Sequence, residues 1–296
     1  MKRKKKKQNF LYVLTLALLM FVITSVLNFI ESSEKDAEKI RMPKESGLYV
    51  HFIDVGQADS ILVNFPNGEN MLIDAGNNSD GGKVSAYIKK CGTEKIDYLV
   101  GTHPHADHIG GLDDVLRNFE TGKIYMPKAT ANTATYEDVL IEIKKKGLRI
   151  TEAREGVMIS AGDVRCEILS PCHNFYEELN DYSAVIRLTY GETSFLFTGD
   201  AEEGVERELS RRYNLKSNVL KVSHHGSNTS SCTEFINNVK PEFAVISVGE
   251  GNDYGHPSER VIKRLQRAGC EIFRTDTDGD IIMRSDGKNV YYEGVR

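Results

Sequence analysis

Cysteine is scarce in this chain. The five residues among 296 are odd in number and contain no Cys-x-x-Cys pair. That excludes a zinc ribbon and argues against a disulfide framework, and most of the five are expected to be small buried apolar residues. No repeat of solenoid period is present, and no Gly-x-Ser-x-Gly elbow. Gly76 and Gly81-Gly82 do not form a Gly-x-Gly-x-x-Gly phosphate loop, so no nucleotide cofactor is expected. Positive charge is also short beyond the N-terminus. The chain has 38 basic and 43 acidic residues, and six of the basic ones fall at 2–7. Residues 31–296 therefore hold 32 against 43, a balance of −11. A body this acidic is poorly suited to broad electrostatic capture of nucleic acid or of an anionic membrane. Only one long apolar run occurs, so a polytopic membrane protein is excluded.

That run is Phe10–Ile30, 21 uncharged residues behind Lys2–Lys7. At 1.5 Å rise per residue it is long enough for a hydrocarbon core of ~30 Å. The basic flank predicts residues 1–9 as a cytoplasmic tail, 10–30 as a transmembrane signal anchor and the body outside the cytoplasm. A cleaved secretory signal is the alternative, but the run is longer than usual and Val26-Leu27-Asn28 lacks the small-residue cleavage pattern. Residues 31–46 are charged and nearly devoid of apolar residues, and read as a stalk.

From residue 47 to 296 the pattern is dense. LYVHFI, SILVNF and NMLID read as strands, with Pro66-Asn67-Gly68 turning between the last two. Helix and strand then alternate through DYLVGTH, ADHIGGLDDVLRNF, KIYM and TYEDVLIEIKKKG. VRCEILS, SAVIRLTY and TSFLFTG form a second strand run, followed by further alternation and closing strands. Two similar halves of this order fit mixed sheets with helices outside, an αββα sandwich of the α/β class.

The chemistry concentrates in Thr102-His103-Pro104-His105-Ala106-Asp107-His108-Ile109-Gly110-Gly111. Three of the eight histidines and one aspartate lie within six residues, straight after a buried strand. Imidazole and carboxylate are the donors that a zinc-like ion takes. Three other segments end strands in the same way: Asp200 in LFTGD, His224 and His225 in KVSHHGS, and His256 in GEGNDYGHP. Several strand-terminal polar residues converging on one sheet edge predict a site. Asp54 and Asp74 also follow strands and are expected to be structural, and His51 reads as a core or edge histidine.

These segments together resemble the metallo-β-lactamase superfamily, and within it the hydrolase domain of ComEC-type DNA-uptake proteins. FIDVGQADSILV, NMLIDAG, THPHADHIGG, NDYSAVIRL, LFTGD, LKVSHHGSNTS, YGHP and RTDTDGDI carry the likeness over most of residues 48–293. The resemblance implies two divalent ions, Zn²⁺ first and Mn²⁺ next. His103 and His105 would serve one ion, Asp107 and His108 the other, and Asp200 would bridge. The family's usual histidine before the Gly-Asp strand is replaced by Asn180, with His173 a possible substitute seven residues earlier. The resemblance assigns the deficit to His224 and His225, one ring towards each ion. Asp107 would also accept a proton, and Asn180, Ser227 and His256 would contact substrate, His256 catalytically.

The leading expectation is a metal-dependent phosphodiester hydrolase outside the membrane, acting on DNA. A phosphorylcholine-type esterase of cell-wall polymer is the second. A non-catalytic surface protein contacting DNA or the envelope is the third, and the intact donor set counts against it. The −11 body counts against a nuclease in particular, because grooves that track phosphates are normally basic.

Overall fold

The structure, a computed structural model, describes residues 47–294 together with Met20 and Thr24. The tail, anchor and stalk expected at 1–46 otherwise lie outside the described residues. Among those described, no helix is long and apolar enough to cross a membrane.

Fifteen strands in the described residues form two sheets. The chain first lays down β1 (Leu48–Phe52), β2 (Ile61–Asn64), β3 (Asn70–Ile73), β4 (Lys95–Val100), β5 (Glu120–Met126) and β6 (Ile150–Glu152). It then crosses to β7 (Met158–Ala161), β8 (Val164–Ser170), β9 (Val185–Tyr190), β10 (Thr193–Phe197), β11 (Val219–Lys221), β12 (Phe243–Ile246) and β13 (Glu271–Arg274). The last two, β14 (Ile281–Ser285) and β15 (Val290–Tyr292), return to the first sheet beside β1. Each sheet is antiparallel on one side and parallel on the other: β3 to β6 run parallel in the first, β10 to β13 in the second.

Between the sheets lies one apolar cluster that includes Phe52, Ile73, Val100, Phe195, Phe197 and Val245. A second packs β10–β12 against α5 (Glu203–Arg212), α6 (Thr233–Val239) and α7 (Glu259–Arg267) through Val205, Leu209, Phe235, Ile236, Val261 and Leu265. On the first sheet's side, α1 (Gly81–Lys90) buries Val84 and Ile88, and α4 (Ala134–Lys145) buries Val139 and Ile143. This is the expected αββα sandwich.

Several local expectations are corrected. ADHIGGLDDVLRNF is not one helix: α2 (Ala106–Ile109) and α3 (Leu112–Asn118) flank Gly110-Gly111. A β-carbon on Gly111 would collide with the Ala75 carbonyl and the Gly81 backbone, and one on Gly110 with the backbone of Asn78 and Ala106. That close approach ties the histidine loop to the loop after β3, and Ala75 N donates to the His108 carbonyl at 2.8 Å. Strands β6 and β7 were not expected, and β6 is exposed at all three positions, so no hydrophobic alternation marks it. Thr275–Asp278 forms a helical turn, α8. Only Cys166 and Cys232 are buried; the other three cysteines are half-buried.

The neighbouring glycines predict opposite outcomes. Gly111→Ala should cost about 3 kcal/mol, because backbone rather than flexible side chain must yield. Gly82→Ala, in a helix with open space around the new methyl, should add about 0.5–1 kcal/mol of stability. Urea denaturation of both variants checks the signs.

Candidate metal centre

The parallel strands deliver their carboxyl ends to one edge, and the polar residues singled out above cluster there. Asp74 follows β3, His103 to His108 follow β4, Asp200 follows β10, and His224 and His225 follow β11. Leaving a sheet edge so sharply has a local cost. Asp74, His224 and His225 are non-glycine residues in the left-handed region, at φ 58°, 50° and 51°. Such conformations persist where the surroundings over-determine them. For the histidine pair they occur within the turn Ser223–Gly226, so the two rings leave the chain in different directions.

Asp107, His108, Asp200 and His225 each place one donor atom within 4.8 Å of the others'. His108 Nε2 lies 3.2 Å from Asp200 Oδ1. His225 Nε2 lies 3.4 Å from Asp107 Oδ2 and 3.7 Å from Asp200 Oδ2. His224 Nε2 reaches the same Asp200 oxygen at 3.7 Å. On the other side of His108, the His103 ring lies 4.2 Å away and the His105 ring 4.7 Å from His103. The structure therefore gathers His103, His105, Asp107, His108, Asp200, His224 and His225 at one place. Yet the buried atoms His108 Nε2, His225 Nε2 and Asp200 Oδ1 make no hydrogen bond. His103 Nε2 and His105 Nδ1 do bond each other, at 3.0 Å, but three buried donors that converge without a hydrogen bond fit a shared divalent cation.

Each buried ring is aimed from behind. His108 Nδ1 donates to Asp74 Oδ2 at 2.8 Å. Asp74 is itself fixed by Thr102, whose N donates at 2.8 Å and whose Oγ1 donates at 2.7 Å. His225 Nδ1 donates to the Ser247 carbonyl at 2.9 Å. In both rings this leaves Nε2 facing the cluster, the usual device for orienting a ligating imidazole. The structural role expected for Asp74 matches this placement. Asp54 accepts from Gly56 N at 3.0 Å and lies 3.7 Å from Lys83. His51 is buried in the core against the Tyr87 hydroxyl at 3.0 Å, with its pKa lowered by burial to about 4.

Charge explains how so many buried ionisable groups coexist. Burial is the largest influence on His225 and disfavours its cation, but Asp200 and then Asp59 outweigh it and push the ring up to about 10. Burial likewise opposes ionisation of Asp107, yet His108 and His225 draw it down to about 2. His103, facing His108 as well as burial, is held well below the usual imidazole range. The carboxylates around His108 and His225, Asp200 foremost, favour positive charge at both rings. A divalent ion held among them would satisfy the same carboxylates and compete with protons for the rings.

Four supporting residues were not singled out from the sequence. Asp59, 2% exposed, pairs with Lys221 Nζ at 2.8 Å and sits 3.3 Å from His225 Nδ1. Burial opposes its charge, and Lys221 followed by His225 reverses that, holding it below the usual carboxylate range. A lysine in the otherwise apolar strand NVLKVS was the available signal. Glu206 on α5 accepts from Ser223 Oγ at 2.9 Å, Ser231 N at 2.6 Å and Cys232 N at 2.8 Å, tying down the loop that carries His224 and His225. Burial pushes it up to about 7 against those donors. Gln57 accepts from Gly249 N at 3.1 Å, which turns its Nε2 towards His256 Nδ1 at 3.4 Å. Its N–H then occupies Nδ1 and leaves the neutral ring's proton on Nε2.

The expected substrate contacts divide. His256 is half-buried with its ring 5.7 Å from that of His224. Its loop is not loose: Asn252 Oδ1 accepts from Tyr254 N and His256 N, and Asn252 Nδ2 donates to the Gly249 and His256 carbonyls. Ser258, not His256, caps α7. Asn180 Nδ2 stands 3.5 Å from His224 Nδ1 and donates to Glu202 at 3.4 Å, at the rim of the cluster. Ser227 departs from expectation, since its hydroxyl is buried and held by Thr229 Oγ1 at 3.1 Å. His173 is exposed and pairs with Glu208 at 3.0 Å, which leaves Asn180 as the neighbour of the histidine pair.

A sandwich of two mixed sheets with this cluster of imidazole and carboxylate donors at its parallel edges is a metal-binding architecture. Residues 53–250 match the model of the metallo-beta-lactamase superfamily, and the chain belongs to that superfamily. It is 33% identical over 253 residues to ComE operon protein 3 of Bacillus subtilis (strain 168), covering 79% of this chain and 33% of that protein. It is 34% identical over 233 residues to competence protein ComA of Neisseria gonorrhoeae, covering 76% of this chain and 30% of that one. The chain thus spans about a third of the length of these relatives, and the likeness to ComEC-type competence proteins holds. The metallo-beta-lactamase fold protein YhfI of Bacillus subtilis shares the fold, at a TM-score of 0.56, 11% identity, and 81% and 100% coverage of this chain and that one.

Breaking the Lys221–Asp59 pair tests this wiring. Lys221→Met should cost about 3–5 kcal/mol in the metal-free protein, as an uncompensated carboxylate is left behind His225. Chemical denaturation measures it. A cost below about 1 kcal/mol would mean that His225 alone balances Asp59.

Proposed function

We propose that the chain is a metal-dependent phosphodiester hydrolase holding two divalent ions, Zn²⁺ or Mn²⁺, and acting on DNA outside the cytoplasm. The observation that carries the metal-dependent part is the convergence on Asp200 of the buried His108 and His225 Nε2 atoms, neither of which makes a hydrogen bond. The relatives named for competence support a nucleic-acid substrate.

His103, His105 and His224 would hold one ion, Asp107, His108 and His225 the other, and Asp200 would serve both. Bound there, the ions supply positive charge against a phosphoryl oxygen and acidify a water. The chain's own groups do the rest. Asp107, the cluster's partly exposed carboxylate, accepts the proton given up by the attacking water. His256, with its proton fixed on Nε2 by Gln57, donates a hydrogen bond to the leaving oxygen and keeps its proton. Asn180 offers an amide N–H at the rim. On charge alone the −11 body favours a second substrate, a phosphorylcholine-type ester of cell-wall polymer. Assaying single-stranded DNA beside a phosphorylcholine ester chooses between the two.

Asp200→Ala should lose both ions and its activity together, whereas His256→Ala should keep its metal and its Tm while kcat falls ~10²–10³-fold, the usual cost of one charge-stabilising donor. Elemental analysis, thermal melting and phosphodiesterase kinetics separate them. Two ions retained in Asp200→Ala would refute the bridge, and an ion lost from His256→Ala would make His256 a ligand.

The proposed location rests on Phe10–Ile30 as an anchor behind a basic tail, with residues 31–46 as stalk. Protease added to intact spheroplasts should remove the 47–296 body. Protection until lysis would refute the orientation.

A further inference from the structure

Beside the cluster stands an aromatic ring that nothing in the fold consumes. Tyr254 is 74% exposed, unusual for a large aromatic on a structured loop. It is not loosely tethered, because the Asn252 side chain fastens the backbone on either side of it: Tyr254 N donates to Asn252 Oδ1 at 3.1 Å and His256 N to the same oxygen at 3.0 Å. These bonds fix the backbone from which the exposed ring projects. One face of Tyr254 stacks on His256, with centroids 5.7 Å apart and planes within 23°. The His256 ring meets that of His224 edge-on at 5.7 Å, and His224 reaches Asp200. A short column of rings therefore runs from solvent to the donor cluster, and its outer face is open.

We infer that Tyr254 is a stacking platform for the nucleobase next to the scissile phosphate, which makes the substrate a single-stranded or frayed nucleic acid. This rests on the phosphodiesterase reading above and narrows its substrate. The chemistry selects a base over the other ligands that an aromatic could take. Glu250 and Asp253 lie exposed on the same loop, so a phosphate is disfavoured at the ring and is left to the cluster. A quaternary ammonium group is recognised by a cage of several aromatic faces, whereas the ring contact found for Tyr254 is with His256 alone among the described residues. A base needs only one flat face, and stacking is indifferent to its identity. Stacking also carries no charge, so it suits a body whose balance over residues 31–296 is −11.

The test compares two diesters with the same leaving group on the metal-loaded full-length protein: thymidine 5′-p-nitrophenyl phosphate, which carries a base, and methyl p-nitrophenyl phosphate, which does not. Tyr254→Ala should lower the ratio of their kcat/KM values about tenfold, and Tyr254→Phe should preserve it, as expected for stacking. Phe175→Ala, which removes another exposed aromatic (75%), serves as the control and should leave the ratio unmoved. If Tyr254 merely braced His256, both substrates would fall together and the ratio would hold, which overturns the assignment. A selective loss on p-nitrophenyl phosphorylcholine would overturn it in favour of a choline site. An unmutated protein inactive on every diester would instead overturn the phosphodiesterase reading, and the base-stacking role with it.

Discussion

Asp200 carries its carboxylate at 2% exposure, and much of the site can be understood as what that charge demands. A lone buried carboxylate would simply take up a proton. Here His108 from the end of β4 and His224 and His225 from the end of β11 approach its two oxygens, and its own N–H donates to Ser183 Oγ at 3.0 Å. The two buried rings then need orienting partners, Asp74 for His108 and the Ser247 carbonyl for His225. Asp59 follows behind His225 and needs a counter-charge in turn, and Lys221 supplies it. The requirement spreads outward until it reaches groups that water can solvate.

The fold makes this affordable by bringing many chain segments to one edge. A parallel strand ends where its neighbours end, so each of β3, β4, β10 and β11 releases a side chain at the same level. Two such half-sheets facing each other across the apolar core supply donors from both sides. Left-handed backbone at Asp74, His224 and His225 then turns the side chains inward, which a chain continuing along its strand would not do.

What the sequence revealed and what it withheld follow from contact distance along the chain. His103, His105, Asp107 and His108 were legible because they are neighbours in sequence just past an apolar strand, and Asp200, His224 and His225 because they repeat that placement. Asp59, Lys221, Gln57 and Glu206 were not. Each acts through a partner far off in the chain: Asp59 through Lys221 and His225, Gln57 through Gly249 and His256. No local pattern encodes such a pairing. Ser227 shows the converse, a residue beside the histidines in sequence whose hydroxyl the loop itself uses. The sandwich was legible from strand and helix alternation, but exposed β6 carries no periodic signal, and the break between α2 and α3 is set by backbone contacts that Gly110 and Gly111 allow.

The return of β14 to pair with β1 has a consequence for how such a domain can be deployed. Leu48 lies opposite Ser285, and β15 adds one further strand outside β14. Entry to the domain and exit from it are thus two strands apart, ~10 Å at the usual inter-strand spacing. A polypeptide can enter and leave this module almost at one point, so it can be grafted into a larger architecture without severing its core. Relatives three times as long as the shared segment are what such a modular unit would be expected to populate.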